Sequence, residues 1–258
     1  MKCKICGGVS AFVFKAKMLY KYEVWYYSCM RCGFLQTEEP FWLDEAYQSA
    51  INVYDTGILN RNDILARKLA LLLFFAFGYR VTYLDYAGGY GLLVRKMRDA
   101  GFDFYWLDKY STNLFARGFT YEGKKKVALV TAVEVFEHLN EPIVDIEEML
   151  SYSRNIFFTT TLLPQPIPKP SEWWYYGFEH GQHIAFYSQE TLQFIANKYN
   201  LHLVSFGDYH LFSEKHVPKA KFYILLFLAN AGFSHLIKLY LHGKIRDDMA
   251  LLKKKKLH

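Results

Sequence analysis

Cysteine is scarce in this chain: there are four, and none stands beyond residue 32. Long apolar runs are scarce as well. The N-terminal MKCKICGG lacks the uninterrupted apolar stretch of a signal peptide, so a cytoplasmic location is expected. The most apolar late segment, Phe222 to Leu241, has the length of a membrane span but is interrupted by Asn230, Ser234, His235 and Lys238. A packed helix is expected there and a transmembrane segment is not, with weak membrane-surface contact through this helix and the lysine tail as the alternative. No internal repeat occurs, and the one biased segment is Lys253 to Lys256. Surplus charge is small: part of the formal +6 lies in that run, so a nucleic-acid partner is permitted but not favoured.

Aromatic side chains, by contrast, are abundant. A hydrophobic content of 52% and an aromatic content of 19% exclude a disordered protein. Core packing is the expected use of most of the 21 Tyr and 22 Phe. With 258 residues the chain can bury one sizeable core and carry a small extra module.

The four cysteines form two knuckles, Cys3-Lys4-Ile5-Cys6-Gly7 and Cys29-Met30-Arg31-Cys32-Gly33, separated by a strand-like stretch from Tyr20 to Tyr27. Four thiolates from two tight turns satisfy tetrahedral zinc, and each following glycine lets backbone amides turn toward the sulfurs. Two disulfides or a redox pair are the competing readings; the first suits an exported chain, and the second does not call for duplication. Structural zinc on Cys3, Cys6, Cys29 and Cys32 is therefore expected, with no open coordination position for chemistry.

The stretch around which the rest is organised is Val81 to Asp108. It reads as an apolar strand, a turn containing Gly88, Gly89 and Gly91, an amphipathic helix, and a second strand closed by Asp108. That order is half of a nucleotide-binding βαβ unit, in which glycines let a ligand approach bare backbone and an acid at a strand end can accept ribose hydroxyls. Before it, residues 37–59 read as a connector in which Tyr47 or Tyr54 is a possible ligand contact and ordinary packing the preferred role. Asn60 or Asn62 is expected to cap a helix running to Gly78. After it, Val127 to Val133 reads as a buried strand leading into Glu134-Val135-Phe136-Glu137-His138-Leu139-Asn140-Glu141-Pro142. A helix over Ile143 to Ser151 and a strand over Asn155 to Thr160 follow. Four prolines in Leu162 to Pro170 then open a long loop carrying Trp173, Trp174, Tyr175, Tyr176, His180 and His183. Ser188 is expected to cap the next helix and Leu201 to Phe206 to form a strand; His210 and His216 are read as solvated, with the acceptor wall as the other option.

The spelling Leu84-Asp85-Tyr86-Ala87-Gly88-Gly89-Tyr90-Gly91 resembles motif I of the class I S-adenosylmethionine-dependent methyltransferases, and Asp108 matches their second-strand acid. Ala87 replaces the first glycine of that motif, and its methyl group is expected to crowd the methionine part of the cofactor. The string from Glu134 to Pro142 resembles the post-strand motif of the subgroup that includes ubiquinone-type O-methyltransferases and sugar methyltransferases, with Ala128 where that subgroup begins its strand with an acid. Gln182-His183-Ile184-Ala185-Phe186-Tyr187-Ser188, followed by Thr191-Leu192, resembles a further pattern of sugar C-methyltransferases in which the histidine is a general base, with Gln182 in place of a glutamate.

The resemblance implies an α/β fold: a Rossmann-like doubly wound sheet of the class I methyltransferase type, preceded by a small zinc ribbon and followed by a C-terminal helical extension. The expected parts are residues 1–36 (ribbon), 37–59 (connector), 60–215 (methyltransferase domain, with acceptor loop 161–187) and 216–258 (helical extension and basic tail). S-adenosylmethionine is expected at Asp85, Ala87, Gly88, Gly89, Gly91, Asp108 and Glu134, and His183 and His180 are the candidate bases. For Glu137 and His138, holding the loop through hydrogen bonds stands beside catalysis. The region Lys109 to Lys126 is short for that fold. O-methylation of a small hydroxylated acceptor, such as a sugar or secondary metabolite, is the implied reaction. RNA methylation, with the ribbon gripping RNA, is the alternative, although residues 1–36 hold only six basic side chains. A degenerate core kept as a binding module is the non-enzymatic reading.

Overall fold

The computed structural model describes residues 1–48, 55–123 and 126–255. In chain order the elements are β1 (Ser10–Met18), β2 (Tyr22–Cys29), β3 (Leu35–Thr37), α1 (Leu43–Ala46), α2 (Ile58–Ala76), β4 (Thr82–Tyr86), α3 (Leu92–Asp99), β5 (Asp103–Leu107) and β6 (Leu129–Val133). They continue with α4 (Pro142–Tyr152), β7 (Ile156–Thr159), β8 (Ala185–Phe186), α5 (Gln189–Lys198), β9 (His202–Phe206), β10 (Tyr209–Ser213), α6 (Lys219–Asn230) and α7 (Ile245–Lys255). The strands form two sheets, ordered β1-β2-β3-β8 and β5-β4-β6-β7-β10-β9. The chain gathers into two compact units, Met1–Asn52 with Val133–Leu150 and Phe157–Lys215, and Val53–Ala132 with Ser151–Ile156 and His216–His258.

In the first unit, β1 and β2 form an antiparallel hairpin. Its turn places Leu19 and Tyr20 at φ +54° and +57°, the left-handed pair that suits the twist of a tight hairpin. Because neither residue is a glycine or asparagine, the sequence hides this turn, and with it the strand β1. Three residues of β3 pair with β2, and β8 pairs with β3 through Leu35–Phe186 and Gln36–Ala185. The fourth strand of the cysteine-bearing sheet therefore comes from the long loop, two residues after His183. Rings fill the interior: Phe136 stacks on Phe158 at 3.9 Å, and Phe14 on Tyr26 at 4.6 Å. Ser188 caps α5 as expected, in a box with Thr191. His210 corrects the sequence reading. It lies on β10, fully buried, with Nδ1 at 2.9 Å from Ser205 Oγ and Nε2 at 3.0 Å from Thr160 O, so it is a satisfied core group and not a solvated one.

In the second unit, β4 is nearly inaccessible and pairs in parallel with β5 on one side and β6 on the other. A strand buried on both faces explains its near-continuous apolar spelling. The shortness of Lys109 to Lys126 has a structural counterpart: among the described residues beyond β5, a single parallel bridge, Trp106 to Thr120, continues the pairing. The helix before β4 starts earlier than expected, at Ile58 after Gly57, without a side-chain cap; Asn62 donates to the carbonyl of Ile58 instead. The expected single helix over Phe222 to Leu241 is broken. α6 ends at Asn230, Gly232 takes φ +86°, and a 3-10 segment, Phe233–Leu239, departs at 91°. Among the described residues no single helix is long and apolar enough to cross a membrane. The last helix, α7, is tied down by Asp248, whose carboxylate takes both Nε and Nη2 of the buried Arg98, at 2.9 and 2.7 Å.

Candidate active site

The glycine turn of the second unit is built from the strands around it. Gly88 follows β4 within a shell so close that an added Cβ would stand 2.9 Å from both Asp85 Oδ2 and Trp106 Cδ1, so only glycine fits. Gly91, at φ +83°, begins α3 against Asn113 and Ala116, with equally little room. Gly89 differs: an added Cβ would meet nothing within 4 Å, so its backbone borders open space. The Gly89 amide donates to Asp108 Oδ2 at 2.9 Å, while its carbonyl accepts from Trp106 Nε1 at 2.8 Å. Asp108 is half-buried, and its Oδ1 accepts the amides of Tyr110 and Ser111, both at 2.8 Å. Oδ2 keeps a lone pair free of the amides that hold Oδ1.

Ala87 occupies the left-handed region, φ +53°, where glycine carries no steric penalty. Asp85 lies beneath the turn, 3% exposed, and accepts the Thr131 hydroxyl at 2.6 Å. Burial pushes its carboxyl up to about 7, the Thr131 hydrogen bond opposes this, and the Asp108 charge adds to it. Thr131 was not legible as a site residue, because its partner is known only once β6 pairs with β4.

The histidines collect in the first unit. His183 places Nδ1 at 2.6 Å from the carbonyl of Tyr175. A carbonyl only accepts, so Nδ1 carries the hydrogen and Nε2 keeps its lone pair. His138 is arranged alike, with Nδ1 at 3.0 Å from the carbonyl of Gln182 and at 3.0 Å from the Tyr47 hydroxyl. The rings of His138 and His183 are 5.0 Å apart, and those of His180 and His183 4.7 Å. His180 has the opposite orientation: its Nδ1 accepts the amide of Gln182 at 3.1 Å, so its hydrogen sits on Nε2. Burial holds all three imidazoles below their ordinary range, His138 at about 4, so they are neutral near pH 7. Tyr47 thus touches His138, whereas Tyr54 falls outside the described residues.

Glu137 stands beside them with no exposure; neither carboxyl oxygen makes a well-formed hydrogen bond, and the Tyr175 and Thr160 hydroxyls are its polar neighbours. Burial, with the neighbouring Glu134 charge, pushes it up to about 8. Glu134 itself sits at φ +51°, held by Thr159, which takes its amide at 2.9 Å and donates to Oε1 at 2.6 Å. A non-glycine residue in this region at a strand end is a feature that concentrates at working sites. Gln182 is buried and donates Nε2 to the carbonyl of Ala46 at 2.8 Å, a bond for which a glutamate has no hydrogen.

The four cysteines converge as the spacing implied. Cys3 and Cys32 have sulfurs 3.6 Å apart, Cys6 and Cys29 3.4 Å, and all four lie within 4.8 Å of one another. Tetrahedral zinc with bonds of about 2.3 Å needs sulfurs about 3.8 Å apart, so the set fits. The amides of Ile5, Gly8 and Arg31 each point at a sulfur from 3.4 Å, as thiolate ligands require.

A family profile described as a methyltransferase domain matches residues 59–205. No curated protein is detectably similar in sequence to the chain. Among solved structures, TnmH is 14% identical with a TM-score of 0.48, over 67% of this chain and 60% of its own. An O-methyltransferase family protein from Burkholderia thailandensis is 14% identical with a TM-score of 0.45, over 66% of each chain. Magnesium protoporphyrin IX methyltransferase from Synechocystis PCC 6803, with bound SAH, is 12% identical with a TM-score of 0.43, over 66% of this chain and 90% of its own. The chain thus spans less than two thirds of the length of the first two.

Proposed function

This chain belongs to the family of S-adenosylmethionine-dependent methyltransferase domains, and from that we propose that it methylates a hydroxyl oxygen of a small acceptor, such as a sugar or secondary metabolite. The observation that carries the oxygen acceptor is the fixed tautomer of His183. The Tyr175 carbonyl holds its Nδ1–H, and the neutral ring keeps a lone pair at Nε2 that can draw a proton from a hydroxyl as the methyl group arrives. His180, with its hydrogen on Nε2, is suited to donate a hydrogen bond to the acceptor and not to deprotonate it.

S-adenosylmethionine supplies a methyl group already activated on a sulfonium. Ala87, Gly88, Gly89 and Gly91 would approach it with backbone, Asp108 would accept one of its ribose hydroxyls at the remaining lone pair of Oδ2, and Asp85 and Thr131 would keep the turn in shape. Zinc on Cys3, Cys6, Cys29 and Cys32 is a structural ion in this reading, since four thiolates complete its coordination. Its place of action is the sheet that β8 joins directly after His183.

Calorimetric titration of the full-length, zinc-loaded protein with S-adenosylmethionine and with its demethylated product tests the cofactor. Binding in the micromolar range that disappears in Asp108→Ala is the expected result. If neither ligand binds, the methyltransferase reading fails. Product mass spectrometry with hydroxylated acceptors then tests the oxygen: a methylated carbon or nitrogen would overturn O-methylation, and a methylated RNA would favour the other acceptor class.

A further inference from the structure

We propose that Glu137, His138 and His183 form a second metal site, one that takes a borderline divalent cation such as Mn2+, Fe2+, Co2+ or Zn2+ and leaves coordination positions open. One ligand atom from each of the three lies within 4.8 Å of the others, so an ion seated among them at about 2.0–2.2 Å needs only side-chain closure. Two imidazoles and one carboxylate are the donor set that first-row divalent ions accept while retaining room for further ligands.

Three further features point to an ion. Glu137 has no exposure and no well-formed hydrogen bond at either oxygen, the Tyr175 and Thr160 hydroxyls being its polar neighbours, and a cation at its oxygens would favour the ionised form that burial otherwise opposes. Both histidines donate Nδ1–H to a backbone carbonyl, His138 to Gln182 and His183 to Tyr175, which aims both Nε2 lone pairs away from the supporting chain. That is the support which metal-bound imidazoles almost always have. The neighbouring Glu134 charge, which itself opposes ionisation of Glu137, also favours a cation at the same place. The ribbon cysteines are a separate set, with no residue in common.

The consequence for chemistry rests on the O-methylation reading, whereas ion binding itself does not. With an ion in place, the Nε2 lone pair of His183 would be committed to it, so the ion would replace the imidazole as the group that promotes loss of the hydroxyl proton. A hydroxyl beside such an ion gives up its proton at lower pH, and that proton leaves to solvent as the oxygen–methyl bond forms and the sulfur–methyl bond breaks.

The test uses the full-length protein with zinc in the ribbon, titrated with Mn2+ and followed by electron paramagnetic resonance. One Mn2+ per chain is expected, with affinity falling at least tenfold in Glu137→Gln and in His183→Gln and unchanged in Asp108→Ala. Pulsed measurements on the unmodified protein should show nitrogen coupling from two imidazoles, a readout that needs no variant to fold. Absence of stoichiometric Mn2+ or Co2+ beyond the ribbon zinc, absence of nitrogen coupling, or unmodified affinity in both variants would overturn the site. A protein that binds Mn2+ but not S-adenosylmethionine keeps this site and loses the methyl-transfer reading; one that binds S-adenosylmethionine but neither metal does the reverse.

Discussion

Thr191 donates its hydroxyl to the carbonyl of Cys32 at 2.7 Å, both residues being buried. The same Thr191 closes the capping box of α5 with Ser188, and Ser188 Oγ would lie 2.6 Å from a Cβ added at Gly33. The second cysteine knuckle is therefore fitted to the end of the histidine loop. The loop is held at other points as well. The Thr37 amide donates to Ile184 O at 3.1 Å, Trp42 Nε1 to Gly181 O at 2.8 Å, and the Leu19 amide to Phe178 O at 2.8 Å. Lys4, inside the first knuckle, reaches Asn140 at 2.6 Å and Glu39 at 3.1 Å, which fixes the segment after His138. The cysteine module is thus a scaffold for the histidines.

Zinc removal should accordingly act on the histidine loop before it acts on the cofactor. Cys6→Ser, which leaves the Glu137, His138 and His183 set intact, should abolish methyl transfer while leaving measurable S-adenosylmethionine binding at the glycine turn. Thr191→Val, which removes one buried donor, should lower stability by about 1–2 kcal/mol, a shift of several degrees in the melting curve. Cofactor affinity that collapses together with activity in Cys6→Ser would contradict this assignment.

Gln182 makes a sharper test of the loop. Restoring the glutamate of the resembling family, Gln182→Glu, replaces a donor to Ala46 O with a carboxylate facing a carbonyl in a buried place. A loss of about 2 kcal/mol or more in denaturant unfolding is expected. A variant as stable as the parent would show that the amide does not hold the loop.

The glycine turn, the acid of the second strand and the knuckles were readable because each is local: spacing along the chain encodes the turn. The support of the histidines was not. Tyr175 and Gln182 orient His183 and His138 through backbone carbonyls, which any residue supplies, so no spelling announces them. β1 was hidden by its Leu19-Tyr20 turn, and the role of β8 depends on pairing with a strand some 150 positions away in sequence, Gln36 with Ala185. His210 read as a loop residue because the signal for β10, a five-residue strand that begins two positions after Gly207, is short. The break at Gly232 was visible as a residue, yet hydropathy alone smoothed over it.

Ala87 holds a left-handed backbone that disfavours its Cβ by about 1–2 kcal/mol. Ala87→Gly releases that strain but frees the unfolded chain by about 0.4–1 kcal/mol, so stability should stay level or rise, by at most about 1.6 kcal/mol. Cofactor affinity should rise severalfold, since the methyl group leaves the approach to the backbone. Ala87→Val, branched at a position with positive φ, should lower both stability and affinity. Titration calorimetry on the pair decides it: equal affinities in all three proteins would mean that the methyl group crowds nothing.

Asp248 anchors α7 through the bidentate contact with Arg98, whose guanidinium also lies 3.7 Å from the Phe119 ring centroid. Burial raises the Asp248 carboxyl, but the hydrogen bonds and charges of Arg98 and Arg95 outweigh it and hold the group below its ordinary value. Asp248→Ala leaves Arg98 buried with Asp103 as its remaining carboxylate partner, and a loss of about 3–5 kcal/mol is expected. Hydrogen exchange should show α7 opening first. Since the folded value is depressed, this contribution is present above the ordinary carboxylate range and fades as pH falls through the folded value.

Asp85 runs in the opposite direction. Its folded value of about 7 stands above the ordinary 3.8. Below that ordinary value the folded and unfolded chains both carry the proton, and the folded state bears no ionisation penalty. Between the two values the unfolded chain releases the proton and the folded chain retains it, so unfolding becomes easier as pH rises. Above the folded value both are ionised and the penalty stays constant, at about 4 kcal/mol for a shift of about three units. Asp85→Asn keeps the shape and an acceptor for the Thr131 hydroxyl but has nothing to ionise. Relative to the parent it should therefore gain stability steadily from pH 4 to pH 7 and hold the gain at pH 8, measured by urea unfolding without cofactor. Parallel curves for the two proteins across that range would mean that the buried carboxyl ionises as freely as an exposed one, and that the turn above it is not built on a neutral acid.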